Sequence, residues 1–211
     1  GFYYPGAADG SRPGTYLVNL YRPETRPRWE MVPLTLHEAV PGHHLQVSLS
    51  AEQQGLPAFR RDAGYVAYSE GWALYAESLG DEIGMYRDPY SKFGQLSNEM
   101  WRACRLVVDT GLHAFGWTRE QSIRYLADNT GMAESGAIAE VDRYILNPGQ
   151  ALGYKIGELR IKALRARAQQ ALGGRFDLRR FHNALIDDGA LPLDLLDARI
   201  GDWIAREKAA Q

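Results

Sequence analysis

Cysteine is nearly absent. Cys104 is the only one in the chain, which excludes an internal disulfide framework and a cysteine-built zinc knuckle. Its apolar neighbours make it read as a small buried side chain. Long apolar runs are absent too, and none approaches the ~20 residues of a membrane span. Neither sign of charge dominates: 24 Lys and Arg against 26 Asp and Glu leave a net charge of −2. That balance offers no broad basic surface, so nucleic acid is not an expected partner. Neither a methionine nor a signal peptide opens "GFYYPG", so we expect a processed chain or a piece of a larger protein, with any targeting segment out of view.

What is present is enough apolar matter for a core. Of 211 residues, 45% are hydrophobic, which suits a single domain over residues 1–211. Residues 1–14 are rich in glycine and proline and read as loop. "TYLVNLY" (Thr15 to Tyr21) is the one strand signal, and it could serve as an edge that receives an extended peptide. Beyond it the apolar period is helical almost to the end. Helices are expected from about Trp29 to Gly55, Ala58 to Gly84, and Pro89 to Phe115. A short one follows, opened by a capping box at Thr118. Others run over Glu134–Leu146, from Pro148 to Leu172, from an Asp177 cap to Gly189, and from Pro192 onward. The fold class is mainly α, with a small β element near the N-terminus.

Histidine is concentrated. Three of the five lie in "TLHEAVPGHHLQ" (Thr35 to Gln46), beside Glu38. The stretch resembles the zinc-peptidase motif H-E-x-x-H, in which the two histidines share a helix face. Here Pro41 and Gly42 intervene. On an unbroken helix His44 would lie roughly 10.5 Å along the axis from His37, and His43 roughly 120° round it. Proline and glycine together permit a distortion that loops two residues out. We therefore expect His37 and His43 as metal ligands, with His44 behind the metal or facing substrate. Glu38, adjoining the first ligand, would be the general base.

A third ligand is available in "YSEGWALYAES" (Tyr68 to Ser78). Glu70 and Glu77 are seven apart and share a face, set among Trp72, Leu74 and Tyr75. A carboxylate in apolar surroundings needs a partner. Glu70 fits as the metal ligand and Glu77 as the group that orients a histidine. Two histidines and a glutamate with a fourth position open form a catalytic zinc arrangement.

The segments "DGSRPGTYLVN", "HEAVPGHHLQ", "SEGWALYAE", "RLVVDTGLH", "EVDRYILNPGQALGYKIG" and "FHNALIDDGALPL" together resemble the bacterial domain-of-unknown-function family 885. That family is similar to the gluzincin zinc peptidases, and its members are longer, often with a secretion or lipoprotein signal. The resemblance implies the C-terminal part of a longer protein with a gluzincin-like helical metallopeptidase domain. It further implies one Zn2+ per chain, a peptide or peptide-like substrate, carboxypeptidase-type activity and a periplasmic or secreted location. The rest of the same protein would be a partner. Such enzymes take an oxyanion donor from a distant helix. Tyr144, Tyr154 and His113 are the candidates. Tyr154 is preferred because Gln150 and Tyr154 stand side by side at i and i+4. Arg143 or Lys155 would clamp a substrate carboxylate, and Arg12 could contact one near the mouth.

The basic stretch Arg160–Arg175 lacks interleaved aromatics and reads as a solvated helix face. His182 reads as structural. The competing expectation for the whole chain is a non-catalytic domain that binds metal or docks onto a larger protein.

Overall fold

The computed structural model describes residues 1–7, 9–53, 55–61 and 63–210. Strand β1 (Phe2–Tyr4) pairs antiparallel with β2 (Thr15–Leu17), Tyr3 opposite Tyr16. The first fourteen residues are thus not all loop. Three consecutive aromatics are good strand formers, and "TYL" gives them a partner. The expected strand to Tyr21 stops at Leu17, where the pairing ends.

Helix α1 (Met31–Glu38) and α2 (His43–Glu52) replace the single helix expected from Trp29 to Gly55. Ala39 and Gly42 leave the helical region, at ψ −122° and −133°. A Cβ on Gly42 would collide with the His37 carbonyl, so the close return of the chain needs glycine. The Pro41 carbonyl, freed by the break, accepts from the Trp72 indole at 2.8 Å.

The second expected helix is also divided, into α3 (Ala58–Arg61) and α4 (Val66–Leu79), with Tyr65 extended between them. Helix α5 (Pro89–Ala114) opens on Asp88, whose carboxylate accepts from the Tyr90 and Ser91 amides, and Pro89 loses nothing at the first position. Helix α6 (Arg119–Asn129) carries the Thr118–Gln121 capping box, and α7 (Glu134–Leu146) has the expected bounds. Helix α8 (Leu152–Leu172) starts four residues later than expected from Pro148. Helix α9 (Leu178–Ile186) is capped by Asp177, and α10 (Leu193–Ala209) follows Pro192.

Helices α4 and α8 approach at their glycines. A Cβ on Gly71 would strike the Gly157 backbone, and one on Gly157 would strike the Ala67 carbonyl. This close crossing carries the start of α8 against the middle of α4. On its outer side lies one core, with Tyr68, Trp72, Tyr75 and Leu79 against Ile161, Leu164, Phe181, Ile200 and Trp203. A second core, with Cys104, Val108, Leu126, Val141 and Tyr144, unites α5, α6 and α7. The cations after Arg160 stand largely in ion pairs: Arg160 and Arg167 with Asp197, Lys162 with Glu158, Arg165 with Glu82. His182 packs on Trp72 and Tyr75. Among the described residues no helix is long and apolar enough to cross a membrane.

Candidate metal centre

Where α1, α2, α4, α5 and the start of α8 meet, a cleft of about 670 Å³ opens. His37 ends α1, His43 begins α2 and Glu70 projects from α4. The break at Ala39–Gly42 turns the two imidazoles toward each other, with ring centroids 4.8 Å apart and nearly perpendicular. Glu70 Oε2 lies 3.5 Å from His37 Nε2 and 3.3 Å from His43 Nε2. One ligand atom from each of the three residues falls within 4.8 Å of the others. Donors about 2.1 Å from a tetrahedral ion stand about 3.4 Å apart, which the two distances from Glu70 Oε2 match.

The donor set also fits a cation by its unmet needs. Glu70 Oε2 is buried and has no hydrogen-bond partner among the described residues. Its contacts with the two imidazoles are close in distance but fall short of hydrogen-bond geometry. A buried carboxylate oxygen left this way is costly, and a divalent ion among the three donors removes the cost.

The site's electrostatics point the same way. Burial would raise the Glu70 pKa, but His37 and His43 outweigh it and hold the carboxyl well below its ordinary range. Burial would likewise lower the His37 pKa, but Glu70 and Glu77 overcome it and raise it. The site thus favours positive charge at His37 Nε2, and a cation there displaces a proton.

Glu77 lies one face-repeat along α4 and meets His37 Nδ1 at 2.8 Å. That contact fixes the ring and leaves Nε2 toward the cleft. Arg102 reaches the same Glu77 oxygen at 3.2 Å. Glu38 lines the cleft, and its Oε2 accepts from the Tyr3 amide at 2.8 Å. Strand β1 is therefore part of the cleft wall. His44 turns to Tyr3 Oη at 3.2 Å and Ser48 at 3.5 Å. The Tyr154 ring stacks on His37, with centroids 6.1 Å apart at 17°. Its hydroxyl accepts from Arg143 at 3.0 Å.

Other expected site residues lie elsewhere. Lys155 follows Tyr154 by one residue, about 100° round the helix, and is held by Glu99 at 2.8 Å and Glu158 at 2.6 Å. It does not clamp a ligand in the cleft. Tyr144 is fully buried, its hydroxyl accepting from Trp101 and Arg105. His113 is spent on the Tyr144 carbonyl at 3.0 Å, tying α5 to α7. Arg12 donates to the Pro5 carbonyl and lies over the Tyr4 ring. Arg143 does line the cleft, but its contacts are Tyr154, Gln150 and Glu140.

Residues of α5 to which the sequence assigned no role complete the wall: Asn98, Arg102 and Arg105. Asn98, Arg102, Arg105 and Asp109 form a stripe on α5 at i, i+4, i+7 and i+11, all buried. A polar run at helical spacing reads from sequence as a solvent face. Its residues are instead turned inward, with Arg105 clamped between Trp101 and Tyr154 at 4.3 and 4.2 Å.

Against known families, the model described as "Bacterial protein of unknown function (DUF885)" matches residues 1–200. The chain belongs to this family. No curated protein matches it. Among solved structures, the DUF885 chain is similar to a putative lipoprotein from Colwellia psychrerythraea, with 48% identity and a TM-score of 0.95 over 97% of this chain. It is also similar to a putative lipoprotein of unknown function from Shewanella oneidensis, with 25% identity and a TM-score of 0.81 over 93% of this chain. The chain spans 35% and 38% of the length of those two.

Proposed function

We propose that this DUF885 chain is the catalytic portion of a zinc-dependent hydrolase of peptide bonds, gluzincin-like in fold and carboxypeptidase-like in activity. The observation that carries the reading is the convergence of His37, His43 and Glu70 on the wall of a cleft that Glu38 and Tyr154 also line. Zinc held by such a set supplies Lewis acidity toward a carbonyl and eases the ionisation of water. Glu38 receives the proton of the attacking water and delivers it to the leaving amine. The Tyr3 amide holds that carboxylate in place. Tyr154 accepts from Arg143 at 3.0 Å and from Gln150 at 3.4 Å. Both acceptor positions of the hydroxyl are thereby used, and its proton remains to be donated to the carbonyl oxygen as that oxygen gains charge. The substrate peptide runs beside the short sheet. The description of both structural neighbours as putative lipoproteins supports a lipid-anchored protein outside the cytoplasm.

The test is zinc content together with hydrolysis of a peptide library, for the native chain and for Glu38→Gln. We expect one zinc per chain in both, and a loss of activity of roughly 100- to 10,000-fold in the variant. Full hydrolysis by Glu38→Gln, or no zinc uptake at saturating metal, overturns the reading. A second reading is a metal-binding module that docks onto the remainder of a longer protein. It draws on the 35% coverage of the Colwellia chain, and it gains if zinc binds but neither the chain nor the longer protein cleaves any peptide.

A further inference from the structure

We propose that Gln150 is a positioning residue that ties the metal ligand Glu70 to Tyr154, with Arg143 as its anchor. The part concerning Tyr154 rests on the oxyanion reading above. The part concerning Glu70 rests only on the metal site.

The turn between α7 and α8 places Gln150. Pro148 cannot continue α7, and Gly149 takes φ +81°, a conformation that other residues avoid. The Gly149 amide donates to both oxygens of Asp109, at 3.1 and 3.0 Å. Asp109 is buried on α5 and so fixes the turn to the body of the domain. The next residue, Gln150, is set in place by that anchor.

The Gln150 side chain then meets three groups. Its Oε1 accepts from Arg143 Nη2 at 2.8 Å. Its Nε2 donates to Glu70 Oε1 and to Tyr154 Oη, each at 3.4 Å. A guanidinium on one side and a carboxylate on the other allow only one orientation of the amide. Arg143 cannot drift, because its Nη2 also donates to Tyr154 Oη, at 3.0 Å.

Two consequences follow for the chemistry. Glu70 Oε1 is engaged, so Oε2, which faces both histidine Nε2 atoms and has no hydrogen-bond partner among the described residues, is the oxygen left to ligate. Tyr154 Oη accepts from two donors, one of them cationic, which directs its proton elsewhere and strengthens it as a donor. One amide thereby sets both the carboxylate ligand and the hydroxyl.

The test uses Gln150→Leu and Gln150→Glu. The first removes all polar contacts. The second keeps the Arg143 contact and the shape but removes the donors, and it decides the matter if the leucine protein does not fold. In each, we expect zinc affinity to fall about 10- to 100-fold, and the visible spectrum of the Co2+-loaded protein to change. Tyr154→Phe should leave zinc affinity within about twofold while lowering kcat with little change in KM. In the Gln150→Glu/Tyr154→Phe double variant, the losses in kcat should fall short of additivity, because the amide acts partly through the hydroxyl. Unchanged zinc affinity and Co2+ spectrum in both Gln150 variants overturn the inference, as do strictly additive losses in kcat. If the native chain cleaves no peptide, the peptidase reading fails by itself, and the affinity and spectrum alone decide whether Gln150 governs Glu70.

Discussion

On one side of α4, Tyr68, Trp72, Tyr75 and Leu79 pack into the large core. On the other, Glu70 lines the cleft, and Glu77, seven residues on, lies buried behind His37. Both sides are buried, yet they treat their polar atoms differently. In the core every tip has a partner: Tyr68 Oη donates to the Leu185 carbonyl, the Trp72 indole to the Pro41 carbonyl, and Tyr75 Oη meets His182 Nε2 at 2.9 Å. On the opposite side Glu70 Oε2 and Glu77 Oε2 have none among the described residues, and neither do Arg102 Nε and Arg105 Nη1 on the facing α5. Buried polar atoms are normally paired. Stability accounts for the first side. The second makes physical sense as a surface prepared for charge that comes from outside the chain.

If the two sides differ in this way, substitutions should separate folding from metal binding. The largest effect is expected from Phe181→Ala, which leaves a cavity in the core and should cost about 3–5 kcal/mol of unfolding free energy in urea titrations. The fraction that remains folded should still bind zinc. Glu70→Ala should show the converse, a folded chain that no longer retains zinc through gel filtration. The next effect concerns pH. Burial, with Arg165 nearby, pushes the His182 pKa from 6.5 down to about 4. Above pH 6.5 the ring is neutral in both states. Below it the unfolded chain takes up a proton that the folded chain refuses until about pH 4, so stability falls with pH across that window. The loss amounts to about 3 kcal/mol at most, and urea midpoints of His182→Gln should show a flatter slope there. The smallest effect sharpens the cleft side. Glu77→Gln keeps the shape but weakens the hold on His37 Nδ1, and zinc affinity measured by competition with a chelator should drop about 10- to 100-fold.

Much of this was legible in the sequence, and for identifiable reasons. Caps are local, so Thr118 and Asp177 mark helix starts that the structure keeps. The seven-residue spacing of Glu70 and Glu77 needs only a helix to place both on one face. The HEAVPGHH segment was readable as one that brings His37 and His43 together, because proline and glycine together announce a break. The full extent of that break, from Ala39 to Gly42, depends on contacts with α4 such as Trp72 to Pro41. Tertiary pairing was the main thing hidden. Phe2–Tyr4 becomes a strand only because Thr15–Leu17 lies beside it. Lys155 looked like a clamp until its neighbours Glu99 and Glu158 could be seen. The α5 stripe of Asn98, Arg102, Arg105 and Asp109 has the period of a surface and the location of a core. Only the packing of α1, α4 and α8 around it reveals that Asn98, Arg102 and Arg105 line the cleft.

The most direct measurement is anomalous diffraction at the zinc edge from crystals of the zinc-loaded chain. We expect one strong peak about 2.0–2.2 Å from His37 Nε2, His43 Nε2 and Glu70 Oε2, with no fourth protein ligand on the cleft side. A peak held by other residues, or none at saturating zinc, would contradict the proposed centre.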